Sequence, residues 1–222
     1  MGTLGPEWLL YFIVISLIIS PLLDLAGYTR RAGRLPQLFL MAVSASGLLM
    51  ALILLLGPSP SSSWPLLVPY GQLGIGTCFL LDRAMLFLAS TAFLITLSAS
   101  IFVLGMPSLP HGYCVAFTGL MAGMIGVLSA GDLLTLYIFW EIMCLSAYAL
   151  VSMGEEVERA LEAAWKYFIM GSAGAIIMLF GISILYGLAG TLNMLLLAGR
   201  LRDAGGIWLL VALAFFLGGA SE

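Results

Sequence analysis

The chain has 222 residues with 8 Lys and Arg against 11 Asp and Glu, a formal net charge of -3, so charged side chains make up 9% where a soluble domain carries about a quarter. Hydrophobic residues reach 62% and the mean hydropathy is +1.15, more apolar surface than one water-soluble core of this length can hide, which excludes a soluble globular protein. The one basic cluster, Arg30, Arg31 and Arg34, gives no electrostatic footprint for nucleic acid.

Charges are absent between Glu7 and Asp24, Arg34 and Asp82, Arg83 and Asp132, Lys166 and Arg200, and Asp203 and Glu222, and only Glu141 breaks the stretch from Asp132 to Glu155. Several such windows exceed the roughly 20 residues that cross a bilayer as helix. Dividing them at glycines, prolines and charge clusters predicts helices over 7–26, 36–56, 83–105, 112–130, 132–152, 160–187 and 206–221. The expectation is an all-α membrane protein of about seven transmembrane helices. The start, Met1 to Glu7, lacks the basic residues and small-residue cleavage site of a signal peptide, so the first apolar stretch is expected to be retained. Between the second and third helices lies a loop punctuated by Pro58, Pro60 and Pro65, then Tyr70 to Thr77, which suits a short β-hairpin; Trp64 and Tyr70 suit the membrane interface. The last segment is barely long enough to span, so it is expected either to end at the edge of the bilayer or to be continued by another polypeptide. Lys and Arg counts in the short loops put the N-terminus outside by a thin margin.

The cysteines (Cys78, Cys114, Cys144) form no CxxC pair and His111 is the single histidine. Neither a disulfide scaffold, nor a metal site, nor a bis-histidine haem is supported, and no cofactor is expected.

An ionisable residue at bilayer depth is expensive, and therefore a functional candidate. Glu141 stands nine residues after Asp132 and well before the polar cluster at Glu155, near mid-membrane, with Tyr137, Cys144 and Tyr148 on the same helical face. It reads either as a buried carboxyl held by a neighbouring helix or as a group that loads and releases protons. Lys166, the one lysine, has Glu162 a turn before it: either an ordinary i,i+4 pair with a snorkelling stem, or the cationic mouth of a buried polar path reached through Glu141. Asp82 and Asp132 open helices and read as caps. His111, in the turn after Pro110, is either a polar helix-end group or a proton-handling side chain. Gly119, Gly123 and Gly126, and Gly171, Gly174 and Gly181, read as close-packing positions, as do the twelve methionines.

Three motifs in order carry a resemblance: Asp132-Leu133-Leu134 running into Phe139-Trp140-Glu141; Glu162-Ala163-Ala164-Trp165-Lys166-Tyr167-Phe168; and Leu185-Tyr186-Gly187-Leu188-Ala189-Gly190-Thr191. With the glycine-rich stretch before Asp82, they resemble the antiporter-like proton-pumping subunits shared by respiratory complex I, Mrp-type Na+/H+ antiporters and energy-converting membrane-bound hydrogenases. The resemblance covers about residues 70–222. It implies two N-terminal helices and an outer loop over 1–69, and over 70–222 helices three to seven of a half-channel, the first half of an inverted-repeat subunit. It further implies that Glu141 matches the fifth-helix glutamate, whose partner is a lysine on the broken seventh helix, and that Lys166 belongs to the same polar axis. Here the stretch from Ala214 to Glu222 carries no lysine, and Glu222 falls at about the expected position, where it would face Glu141 as a like charge or be a solvated terminal residue.

The expected function is a membrane subunit of a multisubunit respiratory or ion-translocating complex in a prokaryotic cell membrane, carrying part of a proton or Na+/H+ path through Glu141 and Lys166, with Tyr137, Tyr148, His111 and Glu222 as further candidates. Its expected partners are other membrane subunits, one supplying the missing helices, and any oxidoreductase chemistry would be theirs. The alternative is a non-conducting structural subunit that bridges membrane modules.

Overall fold

The computed structural model describes residues 7–28, 35–57, 78–106, 109–154, 156–201 and 206–220. The expected hairpin at 70–77, Trp64, the arginine cluster at 30–34, Glu155 and Glu222 lie outside them. The described chain is helical: α1 (Glu7–Tyr28), α2 (Leu35–Leu56), α3 (Arg83–Leu104), α4 (Tyr113–Ser129), α5 (Leu133–Ser152), α6 (Val157–Ala189), α7 (Met194–Leu201) and α8 (Ile207–Ala220).

By length and composition, α2, α3, α5 and α6 can each cross a membrane, while Tyr11–Leu22 of α1, α4 and α8 are apolar but shorter. Large apolar side chains cover the outside, with Phe102 71%, Leu210 69% and Ile176 68% exposed. In water such a surface would aggregate; against lipid tails it has no desolvation cost. The 33 residues of α6 make a rod of about 50 Å against a hydrocarbon core of about 30 Å. Its charged first turns, through Lys166, therefore extend into the polar region.

Seven of the helices follow the sequence expectation to within a few residues, and α7 is the exception. Its eight residues, Arg200 among them, lie between the helices expected over 160–187 and 206–221, where the sequence predicts none. Asn193 starts it, its Oδ1 accepting the Leu195 and Leu196 amides at 3.1 and 3.2 Å, the ordinary chemistry of a helix N-cap.

Buried side chains form two main cores. Leu9, Val43, Leu86, Phe93 and Met121 unite α1 to α4, and Met178, Ile182, Leu185, Leu197 and Ala212 unite α6, α7 and α8 with the start of α5. Between them α4 packs along α5, the most extensive helix contact in the structure together with α2 on α3 and α6 on α8. Glycine makes these approaches close. A Cβ at Gly123 would lie 2.6 Å from Met143 Cβ and 2.7 Å from its backbone; at Gly126 it would strike the Phe139 ring, and at Gly119 the Ser146 hydroxyl. On the other side of α6, a Cβ at Gly181 would stand 2.6 Å from the Phe216 amide nitrogen, and Gly219 of α8 rests on the Gly174 carbonyl. With no hydrophobic drive between helices in lipid, such van der Waals contact is a main source of association.

The link between α4 and α5 is stitched on both sides. Gly131 N–H donates to the Cys78 carbonyl at 2.7 Å and Leu80 N–H to the Ser129 carbonyl at 2.7 Å, while Leu133 N–H donates to Leu192 and Met194 N–H to Gly131 at 3.0 and 3.1 Å. Asp132, 1% exposed, locks this node. Its Oδ1 accepts the Thr135 amide at 2.7 Å, and its Oδ2 accepts the Cys78 amide and the Thr135 hydroxyl, each at 2.6 Å. The expected cap is therefore present, and it also ties down a segment more than fifty positions away. Asp82 caps α3 through the Met85 amide at 2.6 Å.

Candidate functional site

Anchored at Asp132, α5 carries the polar residues inward. Its 20 residues measure about 30 Å, and Glu141, the ninth, lies about 12 Å from the start, well within the membrane span. Glu141 is half-buried, with Tyr137 one helical turn before it on the same side of α5. About one turn after it comes Cys144, also half-buried, and one turn further Tyr148. The spacing puts Tyr137, Cys144 and Tyr148 on the Glu141 face, and all four lie on the one unbroken helix α5 (Leu133–Ser152). The result is a polar ladder along one side of α5.

Tyr148, 8% exposed, closes the ladder at its far end. Its ring meets Tyr167 edge-on at 4.6 Å between centroids and Phe168 at 5.9 Å, the T-shaped arrangement that the ring quadrupole favours. Its hydroxyl occupies the space where a side chain at Gly171 would begin. Beside the ring, α5 and α6 leave an open groove of about 310 Å³ lined by Tyr148, Ser152, Leu161, Ala164, Trp165 and Phe168.

The structure does not bring Lys166 to Glu141. Its Nζ pairs with Glu162 Oε1 at 2.5 Å, and the two side chains are 70% and 65% exposed. Of the two readings open at Lys166, this geometry is the i,i+4 pair, in the polar part of α6 beside the Arg159 and Glu156 pair at 2.7 Å. An exposed pair of this kind is largely screened by solvent and contributes little to stability. His111 is exposed in the turn before α4, at the same end of the bundle: a Cβ on its neighbour Gly112 would touch the Met153 methyl, just past α5, at 3.4 Å. Glu222 lies outside the described residues.

The sequence reading missed Gly171 as the seat of Tyr148 and the aromatic clamp around it. The available signal was the run Trp165, Tyr167, Phe168 followed by glycine, but nothing in it named Tyr148 as the partner. Among the described residues, no three His, Cys, Asp or Glu side chains gather as a metal site would require.

Comparison with known proteins gives the same outline. Residues 130–220 match the family described as NADH:quinone oxidoreductase/Mrp antiporter, TM. NADH-quinone oxidoreductase subunit N of Brevibacillus brevis is 38% identical over 134 residues, which cover 59% of this chain and 26% of that protein. NAD(P)H-quinone oxidoreductase subunit 2 of Synechocystis sp. is 29% identical over 226 residues, covering 98% of this chain and 40% of that protein. A chain in the structure of the membrane-bound sulfane sulfur reductase, an archaeal respiratory membrane complex, superposes with a TM-score of 0.84 at 26% identity over 97% of this chain and 44% of that one. The chain thus spans from 26% to 40% of the length of these two curated relatives. With the matched segment running from the end of α4 through α8 and the helices around it apolar on their outer faces, the chain is an integral membrane protein whose residues 130–220 are similar to the antiporter-like membrane subunits.

Proposed function

We propose that the chain is a membrane subunit of a multisubunit respiratory or ion-translocating complex of a prokaryotic cell membrane, and that it contributes part of a proton or Na+/H+ path. Glu141 is the group that loads and releases the proton, Tyr137 and Tyr148 extend its reach along α5, and Lys166 supplies positive charge at the polar end of α6. His111 stands at that same end, and Glu222 takes the position where the family carries a lysine. In this reading residues 70–222 form the half-channel region and residues 1–69 its flanking helices. Oxidoreductase chemistry belongs to the partner subunits, among them one that supplies the remaining helices of the half-channel.

The observation that carries the proposal is Glu141 itself. A carboxyl within an apolar 20-residue span costs several kcal/mol to keep unless it has work or a partner, and its neighbour one turn back on its own helix is a neutral phenol. Subunits of respiratory complexes and Mrp antiporters as relatives support the same reading.

One observation favours a second reading, a structural subunit that does not conduct: α8 offers no lysine from Ala214 to Ala220, and Lys166 is engaged by Glu162. Glu141→Gln separates the two. The native complex, purified through a tag on this chain and reconstituted into liposomes, should keep its electron-transfer turnover while losing most of its proton uptake per turnover. Unchanged uptake would reject the conducting role, and co-purification of no other subunit would reject the complex.

A further inference from the structure

Tyr148 stands between two spaces of opposite character. Under its hydroxyl is the notch left by the absent side chain of Gly171; beside its ring is the open α5–α6 groove of about 310 Å³. In the notch Tyr148 stands one helical turn from Cys144, which is in turn about one turn from Glu141, and the ring is clamped edge-on by Tyr167 and Phe168. In the groove it would be turned away from Cys144, among Leu161, Ala164 and Trp165. Side chains in packed interiors take up discrete positions instead of sliding continuously, so a ring with a seat on one side and room on the other has the makings of a two-position element.

We propose that Tyr148 is a gate on the α5 ladder and that Gly171 is its positioning residue: seated on Gly171, Tyr148 joins the ladder from Glu141 to the α5–α6 end of the bundle, and swung into the groove it breaks that connection. This rests on the assignment of Glu141 as the proton-carrying group. The choice of glycine follows from the geometry. Any Cβ at position 171 would coincide with the hydroxyl but would stand 2.9 Å from ring Cζ, a contact that a small shift of the ring end relieves. Gly171→Ala therefore evicts the hydroxyl of tyrosine but leaves nearly enough room for phenylalanine. A glycine needed only for helix packing would not discriminate in this way.

The test uses the native complex in liposomes and reads proton uptake per electron-transfer turnover in Tyr148→Phe, Gly171→Ala and the double variant, with subunit abundance measured in each. Each single variant is expected to lower the ratio at least threefold at normal turnover, and the double variant to match Tyr148→Phe, since Gly171 acts only through the hydroxyl. A Tyr148→Phe complex with the wild-type ratio overturns the gate. A double variant whose loss is the product of the two single losses overturns the positioning role. If Gly171→Ala alone prevents assembly, recovery of assembly in the double variant at the Tyr148→Phe ratio supports the notch, and its failure to recover overturns it. Glu141→Gln separates the two layers: a wild-type ratio there removes the underlying assignment, whereas loss there with an unaffected Tyr148→Phe removes the gate alone.

Discussion

Asp132→Ala tests how the bundle holds α5 in place. The carboxylate accepts three hydrogen bonds, from the Thr135 amide at 2.7 Å and from the Cys78 amide and Thr135 hydroxyl at 2.6 Å, with 1% of the residue exposed. Removing an N-cap costs about 1 kcal/mol. The Cys78 amide loses a charge-assisted bond worth about 1.5–3 kcal/mol and is left buried without an acceptor. The freed Thr135 hydroxyl can turn to a nearby carbonyl and adds little. The expected loss is therefore roughly 2.5–4 kcal/mol. Asp132→Asn should lose about half of that, because asparagine caps as well as aspartate but has one acceptor oxygen for two distant demands. The measurement is an SDS titration in mixed micelles followed by far-ultraviolet circular dichroism, with limited proteolysis at the Gly131 link as a local probe. Alanine within 1 kcal/mol of wild type, or asparagine as damaging as alanine, would refute the argument that this carboxylate pins residue 78 to the start of α5.

Two further predictions probe packing and charge. Gly123→Leu should separate α4 from α5, since even its Cβ would meet Met143 backbone atoms at 2.7 Å; overpacking of 1–3 kcal/mol or more should appear as reduced folded protein in the membrane, whereas Gly187→Ala, with nothing within 4 Å of its Cβ, should be neutral or gain up to about 1 kcal/mol. Cys78, outside the spanning helices, has its thiol pushed up from the ordinary cysteine value by burial and by the neighbouring Asp132 carboxylate, with an Asn193 hydrogen bond opposing them. The proton is thus held more tightly in the folded state, so the associated stability is complete below the unfolded thiol's pKa and is lost as pH rises through the folded one. Maleimide should label Cys78 more slowly in the folded protein than in the denatured chain at pH 7.5, and equal rates would contradict the assignment.

Chemistry that acts over one or two helical turns was legible in the chain itself. The apolar windows gave the membrane class and seven of the helices, because backbone groups in lipid have no partner but their own helix. Asp82 and Asp132 could be read as caps because the amides they accept lie three residues on, and Tyr137, Cys144 and Tyr148 could be placed with Glu141 because helical spacing alone aligns them. The short α7 escaped, since eight residues between apolar neighbours leave no period to detect. The glycines of α4 and α6 were legible as close-packing positions, but not what each would touch.

Only the tertiary structure decided the rest, for a common reason: the partners lie on different helices, and their approach depends on the depth and rotation of each. Asp132 reaches Cys78 across 54 positions because two loops happen to meet at one end of the bundle. Lys166 is the exception, since its partner Glu162 lies one turn back on the same exposed face of α6, a pair that helical spacing alone allows. Tyr148 finds its seat at Gly171 because α5 and α6 run together at a register that no local pattern encodes.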